Sequence, residues 1–500
     1  MTDEVWDGLA EQALRAFEGW QGSSRLARRN LLEAWLEQVA LVREDLAQGI
    51  TRETGKPISL ARGEVGRGEM TLRATIEAIA TFGEEAIPYD LMPGAEGCRA
   101  TFRRFPLGPA LAITPFNFPV NLAVHKLAPA LGAGCSVIWK PCPQAPQTSS
   151  LLWESFEAAR LHVAAPVHLL QLAGSDPTRA EALALDPRIA VVSFTGSERV
   201  GRRLERVLAG KPLLLELGGN GAVVIDEGVD AEAVARAVAP AAVAGAGQSC
   251  SKAQRIYVHE HLFEAFAAAF VGAIQALPVG DPMDPRTVVG PLIDEATAIR
   301  VDASLDRAVA AGAQVLLRGT RQGALLAPAI LTGLPETDPL QCEEAFAPVT
   351  ILTPVPSFEE GLRLAAATRF GLRASAYSRQ LAHLRLAEAT LRAGGVLLNL
   401  PPTFRLDASP FGGVRASGNG FEGPRWAMEG FTEGRLIVKA PPSKSLSQEL
   451  SCPSPCPSKP ATWSWWCSRL PGSASGAVSW AWMARASACA AWISPPGPKS

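Results

Sequence analysis

The residues of this chain that could do chemistry stand in short, glycine-rich stretches. Cys250 closes the run Gly245-Ala-Gly247-Gln-Ser-Cys250, where small neighbours leave its sulfur open to a substrate. A thiolate is an effective nucleophile when its pKa is depressed or a base is near. Glu216 lies between the apolar run Leu213 to Leu215 and the turn Gly218-Gly219-Asn220. Burial there would raise its pKa and suit it to general-base work. Asn117, in Thr114-Pro-Phe-Asn117-Phe-Pro119, is locked between Pro115 and Pro119. A rigid amide of this kind is a good donor to a developing oxyanion. A further turn, Phe194-Thr-Gly196-Ser197-Glu-Arg-Val-Gly201, joins a strand to a helix. Backbone N–H groups at a helix N-terminus are a ready site for a phosphate. Taken singly, each has a plainer reading: a core thiol, a capping or salt-bridged glutamate, a turn asparagine, a packing turn.

Periodicity shows the secondary structure that carries these residues. Residues 1–85 read mostly as helix, with apolar residues at three-to-four spacing through LLEAWLEQVALVREDLAQGI and TLRATIEAIATF. The segment Glu53 to Pro57 interrupts them with Gly and Pro. Residues 86–107 read as an extended hairpin around Pro93-Gly94. From residue 108, short apolar strands (ALAITPF, CSVIWKP, VHLLQLAG, AVVSFTG, LLLELGG) alternate with helical stretches such as LAVHKLAPAL, RAEALAL and VGRRLERVL. Such alternation means βαβ units and a parallel, doubly wound sheet covered on both faces. It restarts after about residue 219 with GAVVID, QRIYVHE and VTILTPV. The expected class is therefore α/β, with two doubly wound parallel-sheet domains.

Composition narrows the function. The chain has 500 residues, 47% hydrophobic and 19% charged, with 49 acidic and 47 basic side chains and a net charge of −2. There is ample apolar surface for a large core, and at roughly 100–200 residues per domain two to four domains are expected. The near-neutral balance gives no electrostatic footprint for nucleic acid or an anionic membrane. No run of 18 uncharged apolar residues suggests a membrane span, and the acidic, amphipathic N-terminus does not read as a secretory signal. A cytoplasmic protein is expected. The cysteines show no disulfide pattern, and no histidine stands beside a cysteine pair at zinc-ligand spacing, so no metal is expected. From Ala440 on, the chain is rich in Pro, Ser, Ala, Trp and Cys, with Glu449 its only acidic residue. Residues 441–500 are read as an atypical tail produced by a shifted reading frame. An unstructured extension and a small module are the alternatives.

Together the motifs carry a resemblance. The order Asn117, Glu216, Cys250, with these flanks, strongly resembles the aldehyde dehydrogenase superfamily, from about residue 10 to about residue 438. PFNFPVNLAVHKLAPALGAGCSVIWKP, GDPMDPRTVVGPLI, Glu343 to Val349 and Pro410 to Gly423 resemble further motifs of the family. The resemblance implies a dinucleotide-binding domain over 1–85 and 108–218, a catalytic domain over 219–431, and oligomerisation strands at 86–107 and 432–440. It implies that a Cys250 thiolate attacks an aldehyde, that the Asn117 amide and the Cys250 N–H hold the oxyanion, and that Glu216 activates the hydrolytic water. Lys126 and Glu422 match positions implicated in proton relay, with a salt bridge as the plainer role of each. Ile113, Thr114, Pro115, Phe116, Lys140, Gly196, Ser197, Leu217, Glu344 and Phe346 match cofactor-binding positions for NAD or NADP. Homodimers or homotetramers are implied.

The chain also departs from the family's pattern. Pro143 stands three residues after Lys140, where many NAD-preferring members carry a glutamate that repels a 2′-phosphate. NADP use, alone or beside NAD, is therefore expected. Ala347 replaces a common glycine, which leaves the turn less free. The segment NLPPTFRLDASPFGG looks like the loop of members acting on lactaldehyde, glyceraldehyde 3-phosphate and related small oxygenated aldehydes. Arg405 within it could meet an anionic substrate group, or pair with a local acid. Two other functions compete with a hydrolytic dehydrogenase: a CoA-acylating member of the family, and a dinucleotide-binding protein without turnover.

Overall fold

The computed structural model describes Trp6 and residues 8–441; the readings of the tail fall outside them. Four helices open the chain: Leu9–Trp20, Arg25–Leu41, Arg43–Thr54 and Ile58–Thr81. The periodic stretch LLEAWLEQVALVREDLAQGI falls in two helices, because Val42 leaves helical geometry (φ −105°, ψ 15°). The second helix is capped by Ser24, whose side chain accepts from the Ala27 N–H. The third ends at Gly55, left-handed at φ 72°, within the Glu53–Pro57 interruption.

Strands β1 (Glu84–Ile87) and β2 (Arg99–Pro106) pair antiparallel, Glu84 opposite Arg103. Five parallel strands follow: β3 (Ala110–Ile113), β4 (Val137–Lys140), β5 (Leu170–Leu172), β6 (Val191–Thr195) and β7 (Leu213–Glu216), in the order β5-β4-β3-β6-β7. Alternate residues feed opposite faces. Leu111, Ile138, Val192 and Leu215 pack toward the first helix, while Ala110, Val137, Trp139 and Val191 pack toward the helices at 25–81. Burial on both faces is what makes these strands continuous apolar runs. The strand order reverses beside β3, and the crevice at the carboxyl ends of β3 and β6 is where such sheets take ligands.

The second sheet is built from β8 (Ala222–Ile225), β9 (Arg255–His259), β10 (Gln314–Arg318), β13 (Ala329–Thr332), β14 (Val349–Val355), β15 (Arg373–Tyr377) and β16 (Gly395–Leu398). The small strands β11 (Arg321–Gln322) and β12 (Leu325–Leu326) pair beside it in sequence. The order is β10-β13-β14-β9-β8-β15-β16, parallel except at the β10 edge, which runs antiparallel to β13. A short hairpin of β17 (Phe411–Gly412) and β18 (Phe421–Glu422) precedes β19 (Thr432–Lys439), which pairs antiparallel along β2. The small third sheet thus has the order β1-β2-β19. The α/β class with two doubly wound sheets and a hairpin is what the molecule shows. The residues 314–318, 329–332, 373–377 and 395–398 carry strands that the motif reading did not single out.

Candidate active site

The site assembles from loops at the carboxyl ends of the first sheet and from the approach to β9. Thr114, Pro115, Phe116 and Asn117 leave β3. Thr114 is pinned there, its hydroxyl accepting from the Trp139 indole at 2.9 Å. Asn117 is buried, and its amide donates 3.1 Å to the Gln248 carbonyl, two residues before Cys250. Glu216 ends β7 and is buried, and neither carboxylate oxygen is hydrogen-bonded to the described residues. Cys250 follows a strained turn in which Gly245, Ala246 and Gly247 are all left-handed, at φ 61°, 57° and 65°. The non-glycine Ala246 there costs about 1–3 kcal/mol, held by its surroundings.

The glycines of the Glu216 and Cys250 motifs allow these segments to touch. A Cβ on Gly219 would lie 2.3 Å from the Cys250 carbonyl oxygen, and one on Gly247 2.4 Å from the Ala347 carbonyl oxygen. The segment 417–420 clamps the end of β7. Asn419 accepts from the Leu215 N–H at 2.9 Å, the Ser417 hydroxyl donates 2.7 Å to the Gly218 carbonyl, and the Leu217 N–H donates 3.0 Å to the Ser417 carbonyl. Glu216 is therefore fixed from both sides of its backbone.

Two cavities converge on these side chains. One, of about 800 Å³, is lined by Ile113, Thr114, Pro115, Phe116, Lys140, Gly196, Ser197, Leu217, Glu344 and Phe346, which are all of the sequence-derived cofactor candidates. The other, of about 610 Å³, is lined by Lys56, Arg67, Thr403, Arg405, Phe411 and Glu422 among others. Phe116, Asn117, Thr195, Glu216, Leu217 and Cys250 form walls of both. The larger cavity offers polar groups that a dinucleotide could use. Lys140 stands along one wall, and Ser197 begins the helix Glu198–Val207 without using its hydroxyl as a cap. The first N–H groups of that helix have no partner within it. Thr195 adds a buried hydroxyl with no partner among the described residues. Gly201 lets the helix close on this wall, since a Cβ there would lie 2.4 Å from Leu217. The residues present fit an NAD or NADP molecule.

The electrostatics divide the acids. Burial and the Glu422 charge push the Glu216 carboxyl well above the usual range, with Lys126 and Arg405 pulling the other way. Burial raises Glu422 too, but Arg405, His125 and Lys126 overcome it and hold this carboxyl below its ordinary value. Burial pushes Glu344 up to about 7, partly offset by the Gly219 N–H, which donates 3.0 Å to it. Burial, with Glu344, Glu422 and Glu216 nearby, raises the Cys250 thiol. Phe116 and Phe346 meet edge to face, centroids 6.0 Å apart. Phe346 is left-handed at φ 48°, so the strain of that turn falls on Phe346; Ala347 is not among the left-handed residues.

Arg405 pairs with acid. Its guanidinium lies 2.9 Å from a Glu422 oxygen and 2.9 Å from His125 Nε2, and it covers the Phe411 ring at 4.1 Å. Lys126 is buried, donates 3.1 Å to the Ser193 hydroxyl, and lines neither cavity. Burial lowers its pKa, while Glu422 and Glu216 raise it. Both Lys126 and Glu422 are interior groups, not surface salt bridges. The sequence reading passed over Thr195, although it adjoins Gly196, and Lys252. The Lys252 amine is buried and donates 2.6 Å to the Val349 carbonyl, and burial pushes it down to about 7. Position 252, two residues past the nucleophile candidate, was the only available signal.

A thiol and an unpaired carboxylic acid at the junction of a dinucleotide-sized cleft and a second, smaller cavity define an enzyme that brings a cofactor to a carbonyl compound. Residues 1–437 match the model of the aldehyde dehydrogenase family, and the chain belongs to that family. It is an NAD(P)-dependent enzyme that oxidises an aldehyde to a carboxylic acid. It is 36% identical over 396 residues to a 3-sulfolactaldehyde dehydrogenase of Priestia megaterium, covering 79% of this chain and 82% of that protein. A lactaldehyde dehydrogenase of Methanococcus maripaludis is 32% identical over 412 residues, 82% of this chain and 87% of that one. Among solved structures, the glyceraldehyde-3-phosphate dehydrogenase GapN of Methanocaldococcus jannaschii, complexed with NADP, superposes with a TM-score of 0.84 at 31% identity, over 88% of this chain and 95% of that one.

Proposed function

We propose that Cys250 is the nucleophile, Glu216 the base and Asn117 the oxyanion donor in oxidation of a small, oxygenated aldehyde. The observation that carries this reading is the shared wall of the two cavities: these side chains are where a cofactor on one side can meet an aldehyde on the other. With its pKa raised, Cys250 rests as a thiol and needs a base to remove its proton. Glu216, buried and without a hydrogen-bond partner among the described residues, is a stronger base once deprotonated than an ordinary carboxylate. The sulfur adds to the aldehyde carbon, and the oxyanion is taken by the Cys250 N–H and the Asn117 amide. One such donor is worth ~3 kcal/mol. The cofactor that Lys140, Ser197 and Glu344 would hold would supply the hydride acceptor for that carbon. The Cys250 thioester left behind is cleaved by water that Glu216 deprotonates, giving the acid and the free thiol. Glu422, Arg405 and Lys126 hold Glu216 in a charged surround through which its proton can leave.

The substrate cavity is not strongly cationic, because its basic side chains Lys56, Arg67 and Arg405 are paired with acids. Their partners are Glu64, Asp407 (2.8 Å from Arg67) and Glu422. This supports a short hydroxylated aldehyde. Lactaldehyde, glyceraldehyde 3-phosphate and sulfonated aldehydes, named for its relatives, form the natural panel. Pro143 lines the cofactor cavity, and the acid on that wall, Glu181, is held by Arg203 at 2.6 Å. That supports acceptance of a 2′-phosphate. The sheet β1-β2-β19 exposes Phe102, Leu436 and Val438 and is proposed as the surface of a homodimer or homotetramer in the cytoplasm. NAD(P)H formation with this panel and both cofactors, wild type beside Cys250→Ala, tests the reading. Turnover persisting in Cys250→Ala would overturn it.

A further inference from the structure

The end of the second sheet away from Cys250 gathers histidines and acids that the oxidation does not use. Half of the chain's six histidines fall there: His259, His261 and His383. Register brings them together. Ile225, Val258 and Tyr377 are neighbours across β8, β9 and β15. The next residue of each strand, Asp226, His259 and Ser378, therefore leaves the sheet on one face. The Ser378 hydroxyl accordingly donates 2.5 Å to Asp226, and His383 Nδ1 lies 2.7 Å from the same oxygen. The other Asp226 oxygen is buried without a partner among the described residues. This is also the carboxyl edge at which the strand order reverses, the usual ligand side of such a sheet.

Beside this rung, one atom each from Glu227, His259 and His261 lie within 4.8 Å of one another. Glu227 Oε2 is 3.6 Å from His261 Nδ1 and 3.9 Å from His259 Nε2, and the two imidazole centroids are 4.9 Å apart. Bonds of about 2.0–2.1 Å to a tetrahedral ion place its ligand atoms about 3.4 Å apart. The observed spacings need to close by only a few tenths of an ångström along the two measured edges. His259 is buried and ends a core strand, so it is preset; Glu227 and His261 are open to solvent and can move. We infer that Glu227, His259 and His261 form a binding site for a divalent transition cation of the Zn²⁺, Co²⁺, Ni²⁺ class. Two imidazoles with one carboxylate suit this class and not Mg²⁺ or Ca²⁺. Water completes the coordination. Ligation through His259 Nε2 moves that ring's proton to Nδ1, which releases the long 3.3 Å bond it accepts from the His261 N–H. The ion ties the end of β8 to the start of the helix Glu260–Gln275. It lies a whole strand away from Cys250, roughly 15 Å at the usual rise for five residues. No metal is expected from the sequence, because the set comes from two strand ends and not from a cysteine pair.

The test titrates untagged, full-length protein with Co²⁺, followed by its visible absorption, and with Zn²⁺, followed by thermal unfolding. The wild type and Cys250→Ala should each take up Co²⁺ at one such site, with a shared spectrum, and their unfolding temperature should rise with Zn²⁺ concentration. His261→Ala, at an exposed position, should weaken binding by at least about a hundredfold, more than loss of an outer-sphere partner costs. Glu227→Gln should weaken it less, and His162→Ala, an exposed histidine elsewhere, not at all. His261→Ala should keep wild-type turnover. Absence of Co²⁺ absorption at millimolar metal, or a signal unchanged in His261→Ala, would overturn the site. Loss of the signal in Cys250→Ala would assign the metal to the thiol instead and equally overturn it.

Discussion

The carbonyl oxygen of Cys250 lies 2.3 Å from the point where a Cβ on Gly219 would stand. The turn that follows the proposed base and the loop that carries the proposed nucleophile are thus in backbone contact. No side chain of any kind fits between them.

Gly219→Ala should therefore separate the two groups while leaving both in place chemically. The clash is with backbone, which cannot rotate away, so overpacking of about 1–3 kcal/mol is expected. Steady-state kinetics should show a fall in kcat of at least about tenfold, with thermal unfolding reporting the modest loss of stability.

Asn117→Ala should remove one oxyanion donor and lower kcat by about 10²–10³. KM should move far less, because the oxyanion exists only after attack. A fall in KM and kcat together would point instead to collapse of the Gln248 contact.

The pH dependence should follow Glu216. Its carboxyl is raised by burial and by Glu422, so the base form appears only as pH climbs above the usual carboxylate range. Turnover should rise with pH across that window. Lys126 pulls this pKa down, so Lys126→Met should shift the rising limb to higher pH. A kcat–pH profile of the two proteins checks the sign.

Asp407 is buried between Arg67 and His125, and although burial raises its pKa, these partners hold the carboxyl far below its ordinary value. The unfolded chain therefore takes up a proton first as pH falls. The pair's contribution is present above about pH 4, the unfolded value, and is lost below it. Asp407→Asn should strand Arg67 and cost about 3–5 kcal/mol at neutral pH, with a shallower acid limb in chemical denaturation.

Pro143→Glu should restore a carboxylate beside Lys140 in the cofactor cavity. The ratio of kcat/KM for NADP to that for NAD should fall by about a hundredfold, ~2.7 kcal/mol, by repulsion of the 2′-phosphate. An unchanged ratio would place the phosphate site elsewhere.

Local patterns in the chain record the βαβ alternation, the break at 53–57, and the glycine-bracketed residues Asn117, Glu216 and Cys250. These signals are local: apolar period, turn chemistry and small residues recorded within a few positions. Tertiary structure alone decided what those residues face. It set Phe116, Asn117 and Cys250 in walls common to two cavities, placed Lys126 behind Ser193 and outside both, and matched Arg405 to Glu422 from an adjoining hairpin. It added β13, β15 and β16, which are no shorter than strands that the apolar pattern did reveal. It also brought Glu227 to His259 and His261 across neighbouring strand ends. Each of these depends on strand order and register, which are fixed by packing between segments distant in the chain, and no local pattern records them.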